Sequence, residues 1–176
     1  MKQTTARRIG RSALVAALAA GLMPAGVASA AAAVAEQKPA FGPYGYGSLR
    51  LGMTAAKARA TRKIVHKPGG DSARCTTWDL RENPLPDYRV GMYISKKLGV
   101  VVIIAPPGAR TPQGIGIGSS QAQLKAAYPK LRRGPSGYPA ATVPGNKKAY
   151  YLFNARKGKV VEMSLVVAKQ DCLKVG

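Results

Sequence analysis

The chain has 176 residues, and 28 Lys and Arg stand against seven Asp and Glu, for a formal net charge of +21. One histidine and two cysteines are too few for a zinc site of the usual four ligands, so we expect no metal and no cofactor. The excess of cations favours anionic partners outside the chain. The alternative is a basic secreted protein whose charge serves no specific partner.

The first thirty residues have the pattern of an export signal. Basic residues that include Arg7 and Arg8 come before an apolar run over residues 13–22. A small-residue cleavage pattern, Ala-Ser-Ala, ends at Ala30. We predict a secreted, extracellular product after cleavage near Ala30. The pair of arginines leaves twin-arginine export open beside the general route.

The chain after the signal starts with a segment of low complexity. Residues 31–43 are rich in Ala and then contain Gln, Lys and Pro, which predicts a disordered lead-in. No later apolar run reaches about 18 residues without charge or Pro, so we expect no transmembrane segment.

Two segments of the remaining chain look alike at a spacing of 66 residues. Gly52 stands two residues before Thr54, and Gly118 stands two residues before Ser120. Each hydroxyl can cap the start of a helix. The predicted helices cover residues 55–61 and 121–128. This spacing is long enough for one supersecondary unit that needs a neighbour to complete its core.

Alternating or continuous apolar residues follow each predicted helix and indicate strands. The predicted strands cover residues 75–80, 88–94, 100–105, 150–153 and 160–167. Residues 132–144, rich in Gly, Pro and Arg, predict a long loop. We therefore expect an α+β fold of two tandem units, residues 44–108 and 109–176. Each unit would be a short helical segment packed on an antiparallel sheet.

Cys75 and Cys172 form an even pair in an exported chain, which favours a disulfide. The two residues are 97 positions apart. In the chain-entropy model, a loop of this length stabilises the fold by about 4–5 kcal/mol. Two free thiols are the alternative.

Two short motifs carry a resemblance to known families. Residues 51–54 (Leu-Gly-Met-Thr) open a helix, and residues 75–78 (Cys-Thr-Thr-Trp) begin a strand. This resembles the beta-lactamase inhibitory proteins, which are tandem duplications of a helical segment on a four-stranded sheet. It also resembles the small lipoprotein modules of outer-membrane assembly. The first resemblance implies a concave, aromatic sheet face that docks on a secreted enzyme.

The chain departs from the inhibitor pattern in its charge and its cysteines. Its surface is strongly basic, whereas the inhibitors extend acidic residues into their target. It has one cysteine in each half, whereas the family ties each unit with its own disulfide. A shared fold does not by itself carry the function over.

Catalytic groups are sparse. His66 precedes a Pro-Gly-Gly turn, so we interpret it as a solvated loop histidine and not as a general base. Asp79 and Glu82 belong to a group of acids between arginines, and local pairing with Arg74, Arg81 and Arg89 is the favoured interpretation. A wall-directed hydrolase that uses two of these carboxylates is the rival hypothesis. We expect no enzyme.

The candidate binding residues are aromatic side chains on predicted strands and cations at predicted loops. They are Trp78, Tyr93, Tyr151, Phe153, Arg132, Arg133, Arg156 and Lys157. A place in the core is the equal alternative for each of the four aromatic residues. We predict a secreted, non-enzymatic binding protein whose partner is an acidic protein or an anionic wall polymer. Inhibition of a secreted enzyme such as a beta-lactamase is a further alternative. Nothing resembles a recognition helix or an aromatic RNA-binding motif, so no sequence-specific nucleic-acid binding is expected.

Overall fold

The chain folds mainly into antiparallel strands in a computed structural model, whose described residues are 39–134 and 136–173. The strands are β1 (Phe41–Gly42), β2 (Gly45–Tyr46), β3 (Leu49–Arg50), β4 (Ile64–His66), β5 (Cys75–Leu80), β6 (Met92–Ser95), β7 (Gly99–Ile104), β8 (Arg132–Arg133), β9 (Pro139–Val143), β10 (Asn146–Arg156) and β11 (Lys159–Val167). The helices are α1 (Ala55–Ala60) and α2 (Gln121–Ala127), and Pro68–Gly70 form a short 3-10 helix.

Eight strands form one antiparallel sheet in the order β4-β5-β6-β7-β11-β10-β9-β8. Its centre is the β-branched strand β7, in which every residue except Ile104 is buried. A run of this kind favours a strand with packing on both faces. Strands β7 and β11 pair with one another through Val102 opposite Val166 and Ile103 opposite Leu165. This pairing joins the strands of the two halves of the chain.

The predicted fold class, α+β in two helix-on-sheet units, is therefore wrong. The described residues are 42% strand and 12% helix. The two α-helices have only six and seven residues. Because β7 and β11 pair, the strands of both halves belong to one continuous sheet, and neither of these two strands is left as an open edge.

The two helices begin where the sequence predicts. The side chain of Thr54 accepts a hydrogen bond from the backbone N–H of Lys57 at 3.3 Å. The hydroxyl of Ser120 accepts one from the N–H of Gln123 at 3.1 Å, and the Gln123 side chain accepts the N–H of Ser120 in return. Each cap satisfies N–H groups that the first helical turn leaves unpaired.

A hydrophobic cluster lies on each face of the sheet. We call the face beneath the helices the helix face; it carries Trp78, Met92, Tyr151 and Phe153, which pack with the helical residues Ala58, Leu124 and Tyr128. We call the opposite face the tail face. It carries Val102, Ala140, Tyr150 and Val166, against which the C-terminal residues Cys172 and Leu173 pack.

A small sheet of β1, β2 and β3 also covers the helix face. The ring of Phe41 is fully buried beside the ring of Tyr151, and the Tyr151 hydroxyl donates to the carbonyl of Phe41 at 2.8 Å. The predicted disordered lead-in is therefore wrong at its end, where Phe41 belongs to β1. Residues 31–38, like the predicted export signal, lie outside the described residues.

Several strand bounds differ from the prediction. Residues 132–144 contain β8 and β9 where a loop was expected, and β4 was not expected at all. Strand β10 extends beyond both ends of the predicted residues 150–153. Strand β6 begins only at Met92, because residues 84–91 form a loop after the bridge between Leu80 and Asn83.

The disulfide between Cys75 and Cys172 is confirmed, with the two Cα atoms 5.6 Å apart. It ties β5 to the segment that follows β11, across the tail face. Among the described residues, the helices are too short or too polar to cross a membrane.

Candidate functional site

A cleft of about 610 Å³ lies between α1 and the outermost strands β4 and β5. We call it the tryptophan cleft, after Trp78. Clefts of roughly 300–1,000 Å³ are the size that small ligands occupy in proteins. The lining residues are Ala55, Arg59, Ile64, Val65, His66, Thr76, Trp78 and Arg81.

Strand pairing sets the aromatic part of the cleft. His66 lies directly opposite Trp78 in the β4–β5 ladder, so both side chains stand on the helix face. Their ring centroids are 4.7 Å apart. Trp78 is 7% exposed, and its indole N–H donates to the Thr76 hydroxyl at 2.8 Å. The indole is therefore held in place, with a small part of its surface open to the cleft.

Two arginines supply the positive charge of the cleft. Arg59 is an exposed residue of α1. Arg81 follows β5, and its guanidinium donates to the carbonyls of Arg62 at 3.2 Å and Ile64 at 3.4 Å. These bonds to neutral carbonyls orient the group and leave its charge unpaired. None of the described lining residues is acidic.

His66 belongs to strand β4, so its interpretation as a loop histidine is wrong, although its side chain is 43% exposed. Its Nε2 lies 2.9 Å from a carboxylate oxygen of Asp71. Desolvation pushes the pKa of Asp71 upward, but hydrogen bonds from the Thr77 N–H and from His66 outweigh it and lower the pKa below its usual value. Asp71 thus stays ionised and holds the imidazole through its Nε2 atom.

The carboxylates that the hydrolase hypothesis would use, Asp79 and Glu82, form structural hydrogen bonds instead. Asp79, 4% exposed, accepts hydrogen bonds from the Lys67 ammonium at 2.8 Å, the Gly91 N–H at 2.9 Å and the Leu85 N–H at 3.1 Å. The carboxylate has no free oxygen to offer a substrate. It fixes both ends of the loop between β5 and β6.

Glu82 accepts a hydrogen bond from the Tyr46 hydroxyl at 2.7 Å. Burial, together with this bond and the charge of Glu82, raises the pKa of Tyr46. The prediction that these acids pair with Arg74, Arg81 and Arg89 is wrong, because Asp79 pairs with Lys67 and Glu82 with Tyr46. Within the described residues, Arg89 instead pairs with Glu162 on β11.

The predicted contact aromatics fall on both faces of the sheet. Tyr151 and Phe153 are fully buried in the core of the helix face, so they offer no contact surface. Tyr93 is partly buried on the tail face and packs against its hydrophobic cluster. Trp78 is the one of the four that lines a cleft.

The predicted contact cations lie away from the tryptophan cleft. Arg132 and Arg133 form β8, at the far edge of the sheet. The Arg132 guanidinium lies 5.7 Å from the centre of the Tyr150 ring. Arg156 and Lys157 stand exposed at the β10–β11 hairpin. Sequence reasoning did not select Arg59, Arg81 or His66, the three basic side chains of the cleft.

The described part of the chain carries 22 Lys and Arg against six Asp and Glu, a net charge of +16. Of these 22 cations, only Lys67 and Arg89 pair with a carboxylate of the described residues. The other 20 cations have no carboxylate partner among these residues, so the surface potential is positive.

Searches with this chain against protein-family models, curated proteins and solved structures found no match. In the described residues, the one cluster of metal-ligand type is Cys75, Cys172 and Asp171, and both of its sulfurs belong to the disulfide.

Proposed function

We propose that this chain is a non-enzymatic binding protein that acts outside the cytoplasm and holds an anionic wall polymer. The observation that carries the proposal is the tryptophan cleft, whose described lining residues include Trp78, Arg59, Arg81 and His66 and no acid. The nearby carboxylate of Asp71 contacts His66, and neither arginine has a carboxylate partner among the described residues. The disulfide between Cys75 and Cys172 supports an oxidising compartment.

Guanidinium groups suit this ligand class. A planar guanidinium presents several N–H donors that match the oxygens of phosphate or carboxylate groups. Hydrogen bonds to charged groups contribute about 1.5–3 kcal/mol each. The imidazole of His66, whose side chain is 43% exposed, and the small exposed part of the Trp78 indole add a surface on which a sugar or alkyl segment next to the anion can pack.

The single tryptophan of the chain, Trp78, reports directly on the cleft. Titrating the full chain with long-chain polyphosphate at low salt should change the tryptophan fluorescence, and neutral dextran should not. Raising the salt to about 0.5 M should weaken binding strongly, since exposed charges are screened at that ionic strength.

A pair of double variants separates the cleft from the general charge of the surface. Arg59→Gln with Arg81→Gln should weaken binding about tenfold or more, because two charged hydrogen bonds are lost. Lys147→Gln with Lys148→Gln removes the same charge at exposed positions outside the cleft and should have a much smaller effect. Thermal unfolding of each variant checks that the fold is intact. Equal losses in both variants, or no fluorescence change with polyphosphate, would overturn the proposal.

A second candidate is inhibition of a secreted enzyme, such as a beta-lactamase. The observation that favours it is Tyr93, an aromatic residue that is partly exposed on the tail face. An inhibition assay against secreted beta-lactamases tests it. Inhibition that Tyr93→Ala abolishes, with the cleft variants unaffected, would favour this candidate over the first.

A further inference from the structure

A second basic cleft lies at the opposite edge of the eight-stranded sheet, between α2 and the strands β8 and β9. Its volume is about 270 Å³. Its lining residues are Gln121, Leu124, Lys125, Leu131, Arg132, Arg133, Gly137, Pro139 and Ala155. We call it the arginine cleft. None of its described lining residues is acidic.

The two clefts have the same framework. Each is bounded by a short capped helix and by the two outermost strands at one end of the sheet. Arg59 is the fifth residue of α1, and Lys125 is the fifth residue of α2. Their spacing of 66 residues equals the spacing of Gly52 and Gly118. Both exposed cations therefore stand at the same turn of equivalent helices.

Each edge strand adds a second basic group to its cleft. In the tryptophan cleft this group is His66 on β4, supplemented by Arg81. In the arginine cleft it is Arg133 on β8, which is exposed and lies beside Gly137. The floor of the arginine cleft is aliphatic, formed in part by Leu131 and Pro139. Both clefts thus pair cations with an apolar floor.

The width of the sheet sets the separation of the clefts. One lies at strands β4 and β5 and the other at β8 and β9, which are six strand spacings apart in the sheet order. At about 4.8 Å per spacing, this is roughly 29 Å across the sheet. A small anion can occupy only one cleft, whereas an extended polymer chain can reach both.

We propose that one polyanion chain binds in both clefts at once, so that the protein is a two-point clamp for a linear anionic polymer. This inference rests on the proposed function. Binding in the first cleft raises the effective concentration of the same chain at the second. Such linkage can strengthen overall binding by about a hundredfold or more without any new contact.

The test uses the full chain, the fluorescence of Trp78, and two ligands that differ only in length, tripolyphosphate and long-chain polyphosphate, compared per phosphate. The arginine-cleft variant is Lys125→Gln with Arg133→Gln, and the matched control is Lys147→Gln with Lys148→Gln. The signal comes from the tryptophan cleft, so the arginine-cleft variant leaves the reporting site untouched.

We expect long polyphosphate to bind the unchanged chain about a hundredfold more tightly than tripolyphosphate. The arginine-cleft variant should lose most of this preference and keep its affinity for tripolyphosphate, and the control should retain the preference. If the variant weakens both ligands equally, or weakens neither, the two-point inference is wrong although the proposed function stands. If neither ligand changes the fluorescence of the unchanged chain, the proposed function itself fails.

Discussion

The Asp79 carboxylate is a buried charge that accepts three hydrogen bonds. It forms an ion pair with the Lys67 ammonium at 2.8 Å. The side chain of Asp79 is 6% exposed and that of Lys67 is 13% exposed. The Lys67 ammonium also donates to the carbonyls of Leu85 at 2.6 Å and Pro86 at 2.8 Å. Both charged groups thus have hydrogen-bond partners within one network. The contribution of the pair to stability depends on both residues being present.

Asp79→Ala should destabilise the fold by about 3–5 kcal/mol, because it leaves the largely buried Lys67 ammonium without its counter-charge and the Leu85 N–H without its acceptor. Urea unfolding followed by circular dichroism measures the loss. Asp87→Ala is the matched control, since Asp87 is an exposed acid of the same loop and should cost little. A loss in Asp79→Ala no larger than in the control would contradict this role.

Individual residues of the two clefts could be predicted from the sequence only in part. Trp78, Arg132 and Arg133 stood out because aromatic and paired basic residues are recognisable by type. His66 and Trp78 are 12 positions apart and meet only because β4 pairs with β5. Arg59 and Arg81 come from a helix and from a strand end, so their shared cleft depends on tertiary packing that no local pattern encodes.

At the scale of elements, the prediction succeeds where the local chemistry is strong. The capping hydroxyls Thr54 and Ser120 fix the helix starts. Strand β5 has the predicted bounds because its Thr-Thr-Trp centre is β-branched and aromatic. Strands β8 and β9 were missed because Gly, Pro and Ala are poor strand formers. They exist because β9 pairs with β10, for instance through Ala141 opposite Tyr151.

One glycine distinguishes the two hairpins of the central strands. Gly99 begins β7 and Gly158 precedes β11, and both have φ of +74°. A Cβ on Gly99 would lie 2.4 Å from the carbonyl oxygen of Gly52 and 2.6 Å from that of Met53, whereas a Cβ on Gly158 would have no described atom within 4 Å. The first hairpin is therefore packed against the backbone before α1.

Gly158→Ala should cost about 1–2 kcal/mol, from the left-handed backbone alone. Gly99→Ala should cost about 2–5 kcal/mol, because the clash with rigid backbone adds to the same conformational penalty. Thermal or urea unfolding of the two variants measures the difference. Equal losses in the free energy of unfolding would contradict this, because they would show that the backbone near Gly52 moves away from the new Cβ with no energetic penalty.

On the scale of the whole molecule, the error in the fold class has one cause. The pattern indicated strands correctly in both halves, but it could not show that β7 of one half pairs with β11 of the other. Pairing between strands about 60 residues apart depends on which edges meet after collapse, and side-chain periodicity carries no information about that choice.

The disulfide is the covalent counterpart of this long-range pairing. It joins β5 to the segment after β11, and so closes a loop that contains β6, β7, the second helix and four further strands. Since Cys172 and Leu173 pack on the tail face, the bond also holds the end of the chain over Val102 and Tyr150.

Cys75→Ser with Cys172→Ser should lower the free energy of unfolding by about 4–5 kcal/mol, because the unfolded chain regains the freedom of a loop closed over 97 residues. Urea unfolding of the unchanged chain with and without a thiol reductant provides the comparison. The reductant should bring the unchanged chain down to the stability of the variant and leave the variant itself unaffected. Unfolding midpoints that coincide for the oxidised chain and the variant would mean that the pairing of β7 with β11 suffices to hold the two halves together.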